Sequence, residues 1–408
     1  MEKVTLRGNL LSPPYREVAS NGLIGIEDGC ISSIEEGASI SADAIAGEFY
    51  DFSENYILPG LIDAHCHLTL PGDEKSTDPY IAKYVESAPC SHQVLTVARN
   101  CRKALEGGLT TLVDLGSRGR IMFEVKEALG GGIIDAPRVL VSGPPLTKPG
   151  EHCSYFGGEV TSDEEIIDRV NFLAESGADI VKVIASGGWT PGGTPPWGSS
   201  FSEDELRVLV SEAHRHELPV TAHVTSKEAV KNCLGAGLDG LEHATFWVDR
   251  SQRSVLNDDL VKKIEEKGVF VDMTIQASYR AVNENVDLLD KEEYRERKTK
   301  LDDTFSTFSR LNRYDVKFVA GSDAGFKSNP PGDLTLGLGL LVENGMSTAE
   351  ALKTATSNAA GALKIGDQTG SIDTGKFGDL LVVEGNPLED ISALKDPIAV
   401  FKEGERLI

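Results

Sequence analysis

Leu58-Pro59-Gly60-Leu61-Ile62-Asp63-Ala64-His65-Cys66-His67-Leu68 is an apolar run interrupted by one small acidic residue and closed by His-x-His. Such a run reads as a buried strand. Successive strand side chains point to opposite faces, so His65 and His67 project together while Cys66 points away. Two imidazoles side by side at the C-terminal end of a strand form half of a metal site. The competing reading is a pair of core histidines satisfied by hydrogen bonds.

Downstream, strands and helices alternate. The strand candidates are 57–65, 110–115, 138–142, 180–185, 219–223, 240–243, 269–273 and 317–322. Helical patterns fill most of the gaps. In 161–176, Thr161 or Ser162 can cap the start, and Ile166, Ile167, Val170, Phe172 and Leu173 supply an apolar stripe. Leu206, Leu209, Val210 and Ala213 recur at helical spacing in 202–217, and 347–363 closes the series. Eight strands followed by helices over ~250 or more residues is the arithmetic of an α/β fold of the (β/α)8 TIM-barrel kind. An open doubly wound sheet would use the same alternation. The first strand carries no Gly-x-Gly-x-x-Gly turn and polar residues fall at several strand C-termini, which favours the barrel.

The two ends of the chain have a different texture. Short strand patterns occupy 3–11, 22–27, 30–35 and 44–52, with Asp28-Gly29 a hairpin signal. Strand and turn patterns return from Gly378 to Ile408. Neither end has enough apolar residues for its own core, so the expected domains are a barrel over 57–363 and a small β-sandwich built from 1–56 and 364–408.

With 408 residues, 40% hydrophobic and 25% charged, the chain can bury a deep core and is long enough for two structural units. The net charge of -24 argues against nucleic acid or an anionic membrane as partner. Six scattered cysteines without C-x-x-C fit reduced thiols better than a disulfide frame. The N-terminus enters a strand pattern without the n- and h-regions of a signal peptide, and no stretch approaches the ~20 apolar residues of a membrane span. The expected location is the cytoplasm. The expected partners are a small-molecule substrate and further copies of the chain in a homo-oligomer.

The unusual polar residues fall where barrel active sites form, at strand C-terminal ends. His65 and His67 close the first strand, His223 the fifth and His243 the sixth, and Asp323 follows the eighth in Gly321-Ser322-Asp323-Ala324-Gly325. Lys182 is the odd member, because Val181-Lys182-Val183-Ile184 puts an ammonium inside an apolar strand. Burying that charge unpaired costs several kcal/mol or lowers its pKa toward neutrality. Snorkelling to solvent is the alternative. A neutral lysine amine beside metal ions can react with carbon dioxide to give a carbamate.

These residues, in this strand order, resemble the amidohydrolase superfamily, in its binuclear-metal branch with a carboxylated lysine. The nearer likeness is to imidazolonepropionase-like and prolidase-like amidohydrolases. It covers 58–68, 180–188, 221–223, 241–244, 321–325 and the tail 370–380, which is similar to the family's GxIxxGKxADL return strand with Gly378 where Ala is usual. The resemblance implies that His65, His67 and Asp323 hold one divalent ion, that His223 and His243 hold a second, and that N6-carboxylated Lys182 bridges them. Zinc suits the mainly imidazole ligands, with manganese or cobalt as alternatives. It further implies a bridging hydroxide as nucleophile and Asp323 as proton shuttle to the leaving nitrogen. The expected activity is cleavage of a C–N bond, in an N-acyl amino acid or dipeptide.

His152, in Thr147-Lys148-Pro149-Gly150-Glu151-His152-Cys153, resembles a Gly-Gly-His loop histidine that contacts the substrate carbonyl in prolidase-like members, though Gly150-Glu151 departs from that pattern. His214 and His216 lie on a charged helix and read as solvated; His92 reads as structural. The Gly- and Pro-rich loop 186–197 offers Trp189 or Trp197 as a pocket wall, while 274–316 reads as helices packed on the barrel, with a lid or oligomer contact as alternatives. Rival functions on the same scaffold are imidazolone-ring, lactone or phosphotriester hydrolysis and deamination. Many deaminases place Glu three residues after the fifth-strand histidine, where this chain has Ser226. A non-catalytic scaffold would be missing ligands, and none is missing here.

Overall fold

The computed structural model describes residues 3–35, 47–73, 78–188, 193–251, 253–283, 291–326 and 328–408. The chain opens with β1 (Lys3–Leu10), β2 (Ala19–Glu27), β3 (Cys30–Glu35) and β4 (Glu48–Pro59). Asp28 (φ 52°) and Gly29 (φ 83°) form the expected two-residue turn between β2 and β3, where paired left-handed residues match the twist of the strands. From the other end come β13 (Leu380–Val383), β14 (Ala399–Lys402) and β15 (Glu405–Arg406). These strands make one seven-stranded sheet in the order β15-β14-β13-β4-β1-β2-β3. β4 is its spine: its early residues pair in parallel with β1, and Tyr56–Pro59 pair antiparallel with β13. Leu6, Ile24, Ile57, Val382 and Phe401 bury one face of this sheet as a separate core.

The strand expected over 57–65 is divided. Ile57–Pro59 complete β4, and β5 (Leu61–Cys66) starts a different sheet. Gly60 makes the crossing: its N–H donates to Asp379 of the terminal sheet (2.9 Å), while the next N–H, on Leu61, donates to Gly108 (3.0 Å). A Cβ at residue 60 would sit 2.2 Å from the Thr110 side chain, so only glycine passes here.

The middle of the chain is mixed α/β with parallel strands. β5, β6 (Leu109–Asp114) and β7 (Arg138–Val141) form one sheet; β8 (Val181–Ile184), β9 (Val220–Ser226), β10 (Gly240–Trp247), β11 (Phe270–Asp272) and β12 (Lys317–Phe318) form another. Hydrogen bonds continue past both edges. Leu146, after β7, bonds with Lys182 and Ile184, and Ala64, His65 and His67 bond with Ala320, Asp323 and Ala324 after β12. Between the strands lie α1 (Asp78–Ser87), α2 (Cys90–Glu106), α3 (Ile121–Gly130), α4 (Asp163–Glu175), α5 (Glu203–Arg215), α6 (Lys227–Ala236), α7 (Asp258–Lys267), α8 (Ile275–Asn283) and α9 (Lys291–Leu311).

The caps explain where these helices begin. Ser162, rather than Thr161, caps α4, and Ser202 with Glu205 forms a reciprocal capping box at α5. After α10 (Leu334–Glu343), the helix expected over 347–363 is two, α11 (Thr348–Thr354) and α12 (Ser357–Ala362). The break falls at Thr356 (φ -136°, ψ -100°), whose hydroxyl hydrogen-bonds the buried Tyr15 phenol at 2.9 Å. All six cysteines are free thiols, and Cys66, Cys101, Cys153 and Cys233 are buried. No described helix is long and apolar enough to cross a membrane.

One partly buried ion pair ties the parallel strands to the C-terminal segment. Arg138, at the start of β7, reaches Asp379 at 2.6 Å and Glu403 at 2.8 Å, and its guanidinium lies 4.4 Å above the Phe377 ring. Asp379 is fully buried and also accepts from the Thr369 hydroxyl and the Glu403 N–H. Removing one partner of such a pair leaves a buried charge uncompensated. Arg138→Ala is therefore expected to lower the free energy of unfolding by about 3–5 kcal/mol in urea denaturation, and a loss under about 1 kcal/mol would deny the pair this role.

Candidate active site

His65, His67, His152, Lys182, His223, His243 and Asp323 all line one cavity of ≈ 450 Å³. The His65 ring centroid lies 5.4 Å from His67 and 5.4 Å from His243; His223 is 4.5 Å from His243 and 4.8 Å from His152. Asp323 Oδ1 approaches His67 Nε2 at 3.3 Å and His65 Nε2 at 3.6 Å. His65 and His67 stand at the C-terminal end of β5 and Asp323 follows β12, whereas Lys182, His223 and His243 lie within β8, β9 and β10, the last two strands running on past the histidines expected to end them, and His152 comes from the segment after β7.

The backbone is bent to achieve this. Among non-glycine residues, Cys153 (φ 63°), His243 (φ 68°), Ala244 (φ 41°), Phe246 (φ 58°), Thr274 (φ 41°) and Asp323 (φ 53°) occupy the left-handed region. That conformation is costly away from glycine and concentrates at functional sites. In β10 it interrupts the pairing with β9 after His243. As a result Glu242 and His243, which regular alternation would send to opposite faces, both approach His65. Glu242 Oε2 lies 2.9 Å from His65 Nδ1.

Burial dominates the electrostatics. It pushes the Lys182 amine and the His67 imidazole down from their ordinary values, His223 far down, and His243 down to about 3. Burial alone would raise Asp323, but the His67 hydrogen bond and the neighbouring imidazoles hold its carboxyl well below the usual range. His65 runs the other way. Burial and the Lys182 charge press it down, yet Glu242 and Asp272 outweigh them and hold it up at about 9.

The donor set fits divalent metal ions. Lys182 Nζ, His67 Nδ1 and His223 Nε2 are buried without a hydrogen-bond partner, against the rule that buried polar groups are paired. Ligand atoms of His65, His67 and Asp323 lie within 4.8 Å of one another, and imidazole with carboxylate is a donor combination that zinc and its neighbours favour.

Two further acids belong to the site and escape the sequence reading. Glu242 and Asp272 form a second close group with His65. The signal that exposed Lys182, a charged residue inside an apolar strand, applies equally to both. Asp63 is structural: it accepts from the Ser322 N–H (2.9 Å) and hydroxyl (2.5 Å) and so fastens β5 to the loop that carries Asp323. Burial holds its carboxyl up at about 6.

The segment 274–316, read as helix packing, lines the cavity. α8 contributes Ala277, Ala281 and Val282, and α9 contributes Arg297, Lys300 and Leu301. Trp197 faces a neighbouring cavity of ≈ 510 Å³, and Trp247 lies between the two. Trp189, Leu288 and Leu289 lie outside the described residues. His214 and His216 are not simply solvated: they bond Asp239 (2.8 Å) and Asn171 (2.7 Å), and like His92 they do not line the cavity.

Parallel strands that bring imidazoles, an amine and a carboxylate into one buried cavity supply the donor set of a metal-assisted hydrolase. The model of the amidohydrolase family matches residues 56–407, and the chain belongs to that family of hydrolases acting on carbon–nitrogen bonds. It is similar to the ochratoxinase of Aspergillus niger, with 29% identity over 98% of this chain and 85% of that one. It is 24% identical to the imidazolonepropionase of Sphingopyxis alaskensis over 90% of this chain and 88% of that one. Among solved structures, a Xaa-Pro dipeptidase with methionine in its active site superposes with a TM-score of 0.85 at 26% identity, covering 99% of both chains.

Gly321 leaves room for the acids under His65. A Cβ there would stand 2.0 Å from Asp272 Oδ2 and 2.5 Å from His65 Cβ. Gly321→Ala is expected to destabilise the protein by about 1–3 kcal/mol, the usual cost of overpacking, read in urea denaturation; an unchanged midpoint would show that the cluster yields freely.

Proposed function

We propose that this chain is a metal-dependent amidohydrolase that cleaves an amide bond in a small molecule bearing a carboxylate, an N-acyl amino acid or dipeptide. One observation carries the reading. The cavity that gathers His65, His67, His223, His243, Asp323 and an unpartnered Lys182 is also lined by the cations Arg297 and Lys300, which outnumber the one acid beside them, Glu296. The resemblance to an ochratoxinase and to a Xaa-Pro dipeptidase supports an amide substrate.

Two divalent ions, zinc by donor preference, held by His65, His67 and Asp323 and by His223 and His243 with carboxylated Lys182 between them, would supply an acidified water and a polarised carbonyl. The remaining work falls to side chains. Burial keeps the Lys182 amine toward its neutral form, which attacks carbon dioxide, loses a proton and leaves a carbamate where a cation could not be tolerated. Asp323, held ionised, accepts the proton of the attacking water and returns it to the leaving nitrogen. His152, beside His223, donates to the substrate carbonyl oxygen. Leu301, Ala277, Ala281 and Val282 shelter the apolar part of the substrate from water, and Arg297 and Lys300 take its carboxylate by charge-assisted hydrogen bonds.

The architecture proposed with this function is a closed (β/α)8 barrel over 57–363 and a β-sandwich unit from 1–56 and 364–408. Hydrogen bonds past both sheet edges support the closure. Deamination fits less well, because the Ser226 hydroxyl, at the position many deaminases give to Glu, caps α6 by accepting from the Ala229 N–H (3.0 Å).

The test is hydrolysis of N-acyl amino acids and dipeptides by protein loaded with zinc and bicarbonate, followed by mass spectrometry. Carboxylate substrates are expected to turn over about tenfold or more faster than their carboxamide analogues, the value of one charged hydrogen bond. Arg297→Gln and Lys300→Gln should raise KM for the carboxylate series. Lys182→Ala should lose bound zinc and turnover together; near-normal rates in that variant would remove the carbamate from the mechanism.

A further inference from the structure

On the side of the His65 ring away from Asp323, a buried hydrogen-bond network joins three neighbouring strands. Glu242 Oε2 meets His65 Nδ1 at 2.9 Å, and its other oxygen accepts from the Thr221 hydroxyl at 2.5 Å. A second arm runs beside it. His243 Nδ1 meets Thr274 Oγ1 at 2.7 Å, and the Thr274 N–H donates to Asp272 Oδ1 at 2.8 Å. Thr221, Glu242, Asp272 and Thr274 are all buried. Asp272 thus secures a backbone that Thr274 holds in the strained left-handed region (φ 41°).

We propose that Glu242 and Thr274 are positioning residues that fix the tautomer and orientation of His65 and His243, turning Nε2 of each ring into the cavity. The inference rests on the metal-hydrolase reading above. An imidazole offers one lone pair when neutral, and the partner of its other nitrogen decides which nitrogen that is. A carboxylate against Nδ1 holds the proton there, so Nε2, the atom that faces Asp323, is the nitrogen of His65 that a cation in the cavity can deprotonate and bind. The Thr274 oxygen does the same for His243 by accepting from its Nδ1–H.

The spacing of His65, Glu242 and Asp272 would also suit a cation. Thr221 and the Thr274 N–H already occupy one oxygen of each carboxyl, however, and a cation on Nδ1 would displace the proton that the Glu242 contact uses. A positioning network is the arrangement these contacts favour.

The test compares zinc affinity, by chelator competition, in the full-length protein and in E242Q, E242L, T274V and T274S. It also follows the low-field imidazole N–H resonances of the zinc-loaded, histidine-labelled protein, with melting of the metal-free forms as the folding control. E242L and T274V are expected to weaken zinc by about 10–100-fold and each to lose a different N–H resonance. E242Q and T274S keep an acceptor and should retain both resonances with smaller losses; they carry the test if E242L does not fold. Zinc affinity and resonances unchanged in E242L and T274V would overturn the inference while leaving the hydrolase reading intact. Loss of one whole zinc equivalent in E242Q, with the remainder bound as before, would make Glu242 a ligand and also overturn it. An unaltered protein that takes up no zinc overturns the hydrolase reading, and this inference with it.

Discussion

The site is governed by how many bases it packs into a small buried volume. Four strand-borne or strand-adjacent imidazoles, a loop imidazole and a lysine amine share one cavity with the carboxylate of Asp323. Were all of them protonated, mutual repulsion in a low-dielectric interior would cost far more than a folded domain has to spare. Burial resolves the conflict by driving Lys182, His67, His223 and His243 toward their neutral forms. What is left is a set of lone pairs, with the Asp323 carboxylate and the His65 imidazole, which its acids keep protonated, among them. The same desolvation that makes a charged lysine intolerable inside β8 makes that cluster a receptor for positive charge.

The acids beneath the imidazoles complete the balance. Burial opposes a charge on Glu242, but His65 and the hydrogen bonds from His65 and Thr221 hold it ionised, whereas burial with Glu242 nearby holds Asp272 up at about 8. One negative charge, rather than two, therefore faces His65 from below. Two adjacent buried carboxylates cannot both ionise cheaply, and sharing the charge this way lets the strands pack them side by side. The close approach of Gly321 to Asp272 shows how little free space that packing leaves.

Much of this site is legible in the sequence because strand periodicity is short and strict. His65 and His67 need only an alternation of two, and Lys182 announces itself by being charged in Val181-Lys182-Val183-Ile184. The barrel reading of the strands gathers His223, His243 and Asp323 with them, and the family resemblance then gives each a role that no spacing in the chain reveals. What stayed hidden depends on departures from regular backbone. Glu242 precedes His243 and should point the other way; only the left-handed turn at His243 and Ala244 lets both face His65. The division at Gly60 is likewise a tertiary event, set by contact with Thr110 from another strand. Arg297 and Lys300 could not be singled out because α9 carries charge on every face, and nothing in Lys291-Glu292-Glu293-Tyr294-Arg295-Glu296-Arg297-Lys298-Thr299-Lys300 marks the side that meets the cavity.

The overall charge sharpens the meaning of those two cations. A chain of net charge -24 repels an anionic substrate at long range, yet at physiological salt that field is screened beyond roughly 8 Å. Attraction for the carboxylate proposed above must then come from groups inside the cavity, where screening is weak and a guanidinium or ammonium outweighs the distant surface. For the substrate proposed above, discrimination would then fall on short-range contacts that act once it has entered. The cavity residues proposed for them lie on α8 and α9, whereas the donor set is borne by the parallel strands and the segments that follow them. Separating the two in this way leaves the helices free to vary with less cost to the donor set on the strands, the division by which barrel folds host varied functions.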